Sequence, residues 1–411
     1  MVIVLQKMKN KSFWLILICW LVYSCSYIGK LGYSATIGEI ESFYGVLHAT
    51  AGTVSTFFFF AYGVGQVLNG VLCKWYNIKY VVFITLCVSA ACNFIVALKP
   101  AFFILKYVWL INGFVLATLW PTLIRLLSES LSEKEQGKAV VVMGTTVATG
   151  TLLVYGLSAC FAYFNAFNLI FYVAGLLLPC IALIWLFSYS KISVSLHNEK
   201  GEKIIREEKT SGMPHALWLP IVLLAVFAVV TNLTKDGLTT WVPVILKEKF
   251  AMDGYASIAL TVILPIFAIF GTAVAVLLNK KIKNMVVLCA VLFAMATALV
   301  GVVIGFISLS AAVTIASFAC ISCVMSSVNN VITSMAPLYW REKINSGLLA
   351  GVLNGFCYIG SAISSYGLGF VADQGGWDAV FYLLLFGCGL CVIVGAVYGG
   401  VTLLTKQKKS E

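Results

Sequence analysis

Apolar runs of about twenty residues recur along the whole chain, six before residue 191 and six after residue 209. An α-helix needs a run of that length to cross a hydrocarbon core of about 30 Å at 1.5 Å per residue. Inside lipid each backbone N–H and C=O must be satisfied within the protein. Such runs are therefore helices, and an open sheet is excluded. The runs cover about 12–37, 49–72, 80–98, 105–127, 139–163 and 167–189, then 215–245, 255–278, 285–305, 309–335, 346–371 and 379–404. The expected fold is all-α and polytopic, with 12 transmembrane helices in two pseudo-symmetric six-helix bundles. Between the bundles, Lys191 to Lys209 holds five basic and four acidic residues, the one long polar stretch. It marks a linker over 190–214, leaving an N-terminal bundle at 1–189 and a C-terminal bundle at 215–411.

Charge placement sets the orientation. Of the 27 basic residues, Lys99, Lys106, Lys247 and Lys249 fall in loops on one side, and Lys30 and Lys235 fall inside runs. Subtracting these six from 27 leaves 21 on the other side, which the positive-inside rule assigns to the cytoplasm. Both termini are then cytoplasmic and the chain is a multi-pass protein of the inner membrane. Lys7, Lys9 and Lys11 precede the first run without a small-residue cleavage site, so it reads as an uncleaved span. The chain is 61% hydrophobic and 10% charged, against about 45–50% and about 25% in soluble domains. Its net charge of +11 reflects anionic inner lipids, not nucleic acid.

Little points to catalysis. Most of the thirteen cysteines, among them Cys87, Cys160 and Cys289, lie in apolar runs and read as packing residues. The pairs Cys320/Cys323 and Cys388/Cys391 lack nearby histidines, so no metal is expected. No phosphate-cradling glycine loop, paired carboxylate or nucleophile–base set is present, so neither an enzyme nor an ATP-driven pump is expected, and no cofactor is implied.

The exceptions inside the runs carry the functional argument. Lys30 and Lys235 sit at similar depth in the first run of each half. A lysine near the bilayer centre costs about 2.5–3.5 kcal/mol on insertion scales, so such a residue faces a cavity or a partner. The bland alternative for Lys30 is snorkelling to the headgroups along its own stem. If both lysines face a central cavity, they bind an anion between the halves, and the anion draws the halves together. Asp236, next to Lys235, is a candidate for neutralising a lysine or carrying a coupled proton. Tyr23, Tyr27 and Lys30 share a helical face by their spacing. Tyr62, Trp241, Asn354 and Tyr358 are further candidates for lining the site. Asn112, Asn329 and Asn330 are candidates for interhelical hydrogen bonds.

Several stretches resemble the organophosphate:phosphate antiporter branch of the major facilitator superfamily. These are Lys235-Asp236-Gly237 through Trp241, Pro243 and Leu246-Lys247-Glu248; Trp120-Pro121 through Arg125 with Glu133-Lys134-Glu135-Gln136-Gly137; and Ala61-Tyr62-Gly63-Val64-Gly65 with Gly70. The resemblance implies a midplane site between two halves, with Lys30 and Lys235 where that family has two phosphate-clamping arginines. Lysine is a point charge where arginine is a planar fork. Val147 stands where the family has a histidine, and Lys74-Trp75-Tyr76-Asn77-Ile78-Lys79 is a degraded form of the superfamily's loop between spans two and three, which usually has an aspartate and several basic residues. The implied function is secondary transport of a small organic anion, foremost a phosphate ester exchanged for phosphate, by a monomer in the lipid bilayer. A proton-coupled carboxylate or sugar-acid symporter, and a non-transporting membrane sensor, are the alternatives.

Overall fold

The computed structural model describes residues 2–72, 75–197, 215–340, 342–344 and 346–407. Most of the polar stretch expected as a linker lies outside the described residues. Among the described residues the chain is helical without a strand. Spans 1 to 10 are Lys11–Ala35, His48–Gly70, Ile78–Ala97, Phe102–Ser130, Glu135–Tyr163, Leu169–Tyr189, Leu217–Phe250, Gly254–Asn279, Met285–Phe306 and Ala311–Tyr339. The last apolar helix, Gly347–Leu404, has 58 residues. At 1.5 Å per residue it is far longer than one crossing. It turns at Gly376, whose φ of 70° and ψ of 178° break the helix, so its two arms are spans 11 and 12. The sequence reading placed a loop here. In the structure, helix continues to either side of a single glycine, because only glycine takes that backbone conformation at little cost.

Polarity is arranged for lipid. Phe60, Leu176, Phe187, Phe386 and Leu403 are exposed, whereas Asn93, Asn112, Thr231, Asn232 and Ser361 are buried. Buried polar groups in such a bundle must bond each other. Asn112 Nδ2 donates to the Gly29 carbonyl at 2.8 Å, and Ser89 Oγ donates to Asn112 Oδ1 at 2.7 Å. Asn93 Nδ2 also reaches the Gly29 carbonyl, at 3.3 Å. Spans 3 and 4 thus grip span 1 one residue before Lys30 and fix its rotation. The asparagine expected as glue, Asn112, has that role, and Asn329 donates to Asn232 at 3.4 Å in the second half.

Prolines break helices where they remove a donor. Span 4 bends at Ala117 and Thr118, four residues before Pro121. Pro121 has no N–H for the Ala117 carbonyl, and Gln66 Nε2 donates to that oxygen at 3.3 Å instead. Span 10 passes through a π-helical turn, Val331–Met335, just before Pro337.

The two halves meet along two seams. Span 2 packs against span 11, and span 5 against span 8. Gly52 lies so close to the Ser365 carbonyl that no Cβ fits, and Gly63 lies against the Tyr358 side chain, less tightly. Gly52→Leu should therefore force the span 2–span 11 seam apart. A lowered thermal unfolding midpoint is expected; an unchanged midpoint would show that the seam is not needed for stability.

Candidate substrate site

Lys30 is 7% exposed. Its Nζ stands 4.0 Å from the Tyr62 ring centroid, 5.1 Å from that of Tyr27 and 5.3 Å from that of Tyr358. These rings come from spans 2, 1 and 11, so both halves enclose the charge. A cation over a desolvated ring gains about 2 kcal/mol. No carboxylate among the described residues lies within ion-pair distance of Lys30. Snorkelling would take the ammonium to water; here it is held inward. Tyr62 and Tyr358 pack with centroids 4.7 Å apart. Tyr23 extends the aromatic wall, 5.6 Å from Tyr27 and 4.8 Å from Trp120. Gly150 of span 5 makes room for this wall, because a Cβ there would strike the Tyr27 side chain and the Ser24 carbonyl.

Lys235 has a different environment. Its Nζ lies 3.4 Å from Asp236 Oδ1, with about a fifth of each side chain exposed. Ser361 Oγ donates to the other oxygen, Asp236 Oδ2, at 2.5 Å, and Asn232 Nδ2 reaches Ser361 Oγ at 3.4 Å. The four named groups tie span 7 to span 11. Asp236 also lies within electrostatic reach of Tyr27 and Tyr358, two of the rings around Lys30. Among the described residues, Lys30 is thus a cation without an ion-pair partner, whereas Lys235 is paired with Asp236. Asn354 is half-buried, one helical turn from Tyr358.

Trp241 is elsewhere. Six residues past Lys235, it is fully buried and donates from Nε1 to the Ser364 carbonyl at 3.4 Å. It packs 5.7 Å from both His48 and Trp377. This cluster closes one end of the space between the halves, on the side where the basic residues are few. The imidazole of His48 faces Glu41 Oε1 at 3.0 Å through Nδ1 and Glu248 Oε1 at 3.3 Å through Nε2. Two carboxylates this close to the ring nitrogens favour the doubly protonated, cationic imidazole. Burial pushes the Glu41 carboxyl above its ordinary range, although His48 pulls it down.

Further bonds complete the seal. The backbone N–H groups of His48 and Ala49 donate to Asp373 Oδ1 and Oδ2 at 3.1 and 2.8 Å. A carboxylate thus caps the N-terminus of span 2 from across the halves. Trp377 Nε1 donates to Glu248 Oε2 at 2.7 Å, and Lys249 pairs with Asp378 at 2.8 Å. Sequence reasoning passed over His48, Glu41 and Asp373. Their only signal was polarity beside the end of a span, which solvated loops share. No cluster of metal-binding residues occurs among the described residues.

The relatives agree with this architecture. The chain is 18% identical to membrane sensor protein UhpC of Salmonella typhimurium over 91% of this chain and 88% of that one. It is 21% identical to a probable hexose phosphate transport protein of Chlamydia pneumoniae over 92% and 89%. Among solved structures it is similar to a bacterial homolog of the human lysosomal transporter Spinster in an inward-facing, occupied conformation. That match has a TM-score of 0.70 at 13% identity and covers 95% of this chain and 94% of that one. It is also similar to the nucleoside transporter NupG, with a TM-score of 0.68, 13% identity and coverage of 93% and 99%. Residues 19–365 match the family described as Major Facilitator Superfamily, and the chain belongs to that superfamily.

Proposed function

We propose that this chain is a secondary transporter that moves a small organic anion by alternating access, with Lys30 as its principal anion-binding group. The observation that carries the reading is the buried Lys30 ammonium, held by tyrosine faces and without a carboxylate partner among the described residues. An anion supplies what the rings supply only weakly: an opposite charge. As it binds, the phenolic O–H groups of Tyr27, Tyr62 and Tyr358 become available as donors. The anion also competes with Asp236 for Lys235, which draws span 7 of the second half towards a ligand already bound to the first. That differential contact is what couples occupancy to closure.

A phosphate ester, exchanged for phosphate, is the leading substrate class. Its support is the likeness to the probable hexose phosphate transport protein, together with the buried Lys30 ammonium. A carboxylate or sugar acid moved with protons is the alternative, with Asp236 as proton carrier. In that case Asp236→Asn would remove the pH dependence of uptake. The two halves would be 1–189 and 215–411, joined by a cytoplasmic linker, in an inner membrane with both termini in the cytoplasm; the support is the distribution of basic residues. The likeness to proteins named membrane sensor favours one further reading, in which binding is reported and not followed by flux.

A thermal-shift series on purified protein tests these readings. A ligand at about a hundred times its Kd stabilises by about 2.7 kcal/mol. Sugar phosphates and phosphate should raise the unfolding midpoint, and neutral sugars should not. Stabilisation by neutral solutes alone would overturn the anion assignment. Counterflow in proteoliposomes then separates transporter from sensor.

A further inference from the structure

Pro243 removes the N–H that would bond the Thr239 carbonyl in span 7. That oxygen accepts instead from Tyr155 Oη of span 5 at 2.6 Å, across the two halves. Tyr155 is fully buried. Pro121 is served differently. Its freed carbonyl, at Ala117, is filled by Gln66 from within the same half, where no transport movement need break the bond. The Pro243 vacancy is filled from the half that must move away.

The other seam uses the same chemistry. Thr56 Oγ1 of span 2 donates to the Ala362 carbonyl at 2.8 Å and accepts from the Tyr366 N–H at 3.1 Å. Residues 362 and 366 have the spacing of one helical hydrogen bond, so the threonine hydroxyl from the first half bridges the carbonyl and the N–H of that pair in span 11. Gly52, one turn along span 2, allows the approach.

We propose that Tyr155 and Thr56 are a pair of hydroxyl latches that hold the sealed face shut by occupying openings in the backbone ladders of spans 7 and 11. Each latch has a substitute. When the halves part, water takes the Thr239 carbonyl, and at the other seam the Tyr366 N–H returns to the Ala362 carbonyl. No backbone group is stranded in either state, so the latches add closure without blocking release. Tyr155 also stands one helical turn from Lys235. Thr239 Oγ1 donates to the Lys235 carbonyl at 2.9 Å, and Asp236 is within electrostatic reach of the Tyr155 phenol. The latch therefore sits on the turn that carries the second lysine.

Hydrogen–deuterium exchange of the full chain in lipid nanodiscs, without substrate, reads the latches independently of the proposed function. Peptides covering 33–60 and 241–256 report the seal. Tyr155→Phe should raise their exchange about fivefold, the effect of one ordinary hydrogen bond. Pro243→Ala restores an N–H to the Thr239 carbonyl. In that background, Tyr155→Phe should have little further effect. An equal effect of Tyr155→Phe in both backgrounds, or none in either, would overturn the latch. Thr56→Val and Thr56→Ser give a second test that keeps side-chain size nearly constant. The valine variant should exchange faster at the seal and the serine variant should match the parent; equal behaviour of the two would overturn the role of the hydroxyl.

Discussion

Lys30→Ala is expected to lower phosphate-ester uptake in proteoliposomes by about tenfold to a hundredfold. Hydrogen bonds to a charged group contribute about 1.5–3 kcal/mol, and each 1.4 kcal/mol is a factor of ten. The same variant should be at least as stable as the parent. An ammonium at membrane depth is costly, and the three rings around Lys30 offset only part of that cost. Lost function with retained or raised stability distinguishes a binding residue from a structural one. Uptake at the parent rate in Lys30→Ala would remove Lys30 from the site, whatever the substrate.

Asp236→Ala should act in the opposite way, mainly on stability. It leaves Lys235 without its carboxylate and Ser361 Oγ without its acceptor. Breaking a buried ion pair from one side costs about 3–5 kcal/mol. With about a fifth of each side chain open to solvent, the expected loss is nearer 2 kcal/mol. Removing the stranded charge as well, in Lys235→Met with Asp236→Ala, should recover most of the loss. Thermal unfolding of the parent, the single and the double variants in one detergent closes the cycle. If the double variant is no more stable than Asp236→Ala, then Lys235 and Asp236 are not energetically coupled.

The spans were readable from the sequence because lipid imposes both a length and an apolar composition. The two lysines were readable because they break that rule. Their difference was not. Whether a buried ammonium meets a carboxylate or a ring depends on the rotation of span 1, which the Gly29 carbonyl fixes through Asn93 and Asn112 on other helices. The structure brings Tyr27, Tyr62 and Tyr358, three of the candidates named from sequence, around Lys30. Trp241 was grouped with them because it shares a helix with Lys235; six residues of helical rise carry it into the seal. Tyr155 and Thr56 gave no signal, being one aromatic and one hydroxyl among many. Their partners are backbone atoms, which side-chain patterns do not reveal.

The corner at Gly376 has a consequence for how this protein can be edited. A loop between spans has slack, and an inserted tag or cleavage site merely lengthens it. Here the whole connection is one residue in a left-handed conformation. Asp373, Trp377 and Asp378 flank it, each bonded to a residue outside the hairpin. Any added length would shift those three groups along with it. An epitope placed at this corner would therefore test geometry, not topology. The last two spans are best regarded as a single cast piece whose angle is written into one pair of backbone torsions.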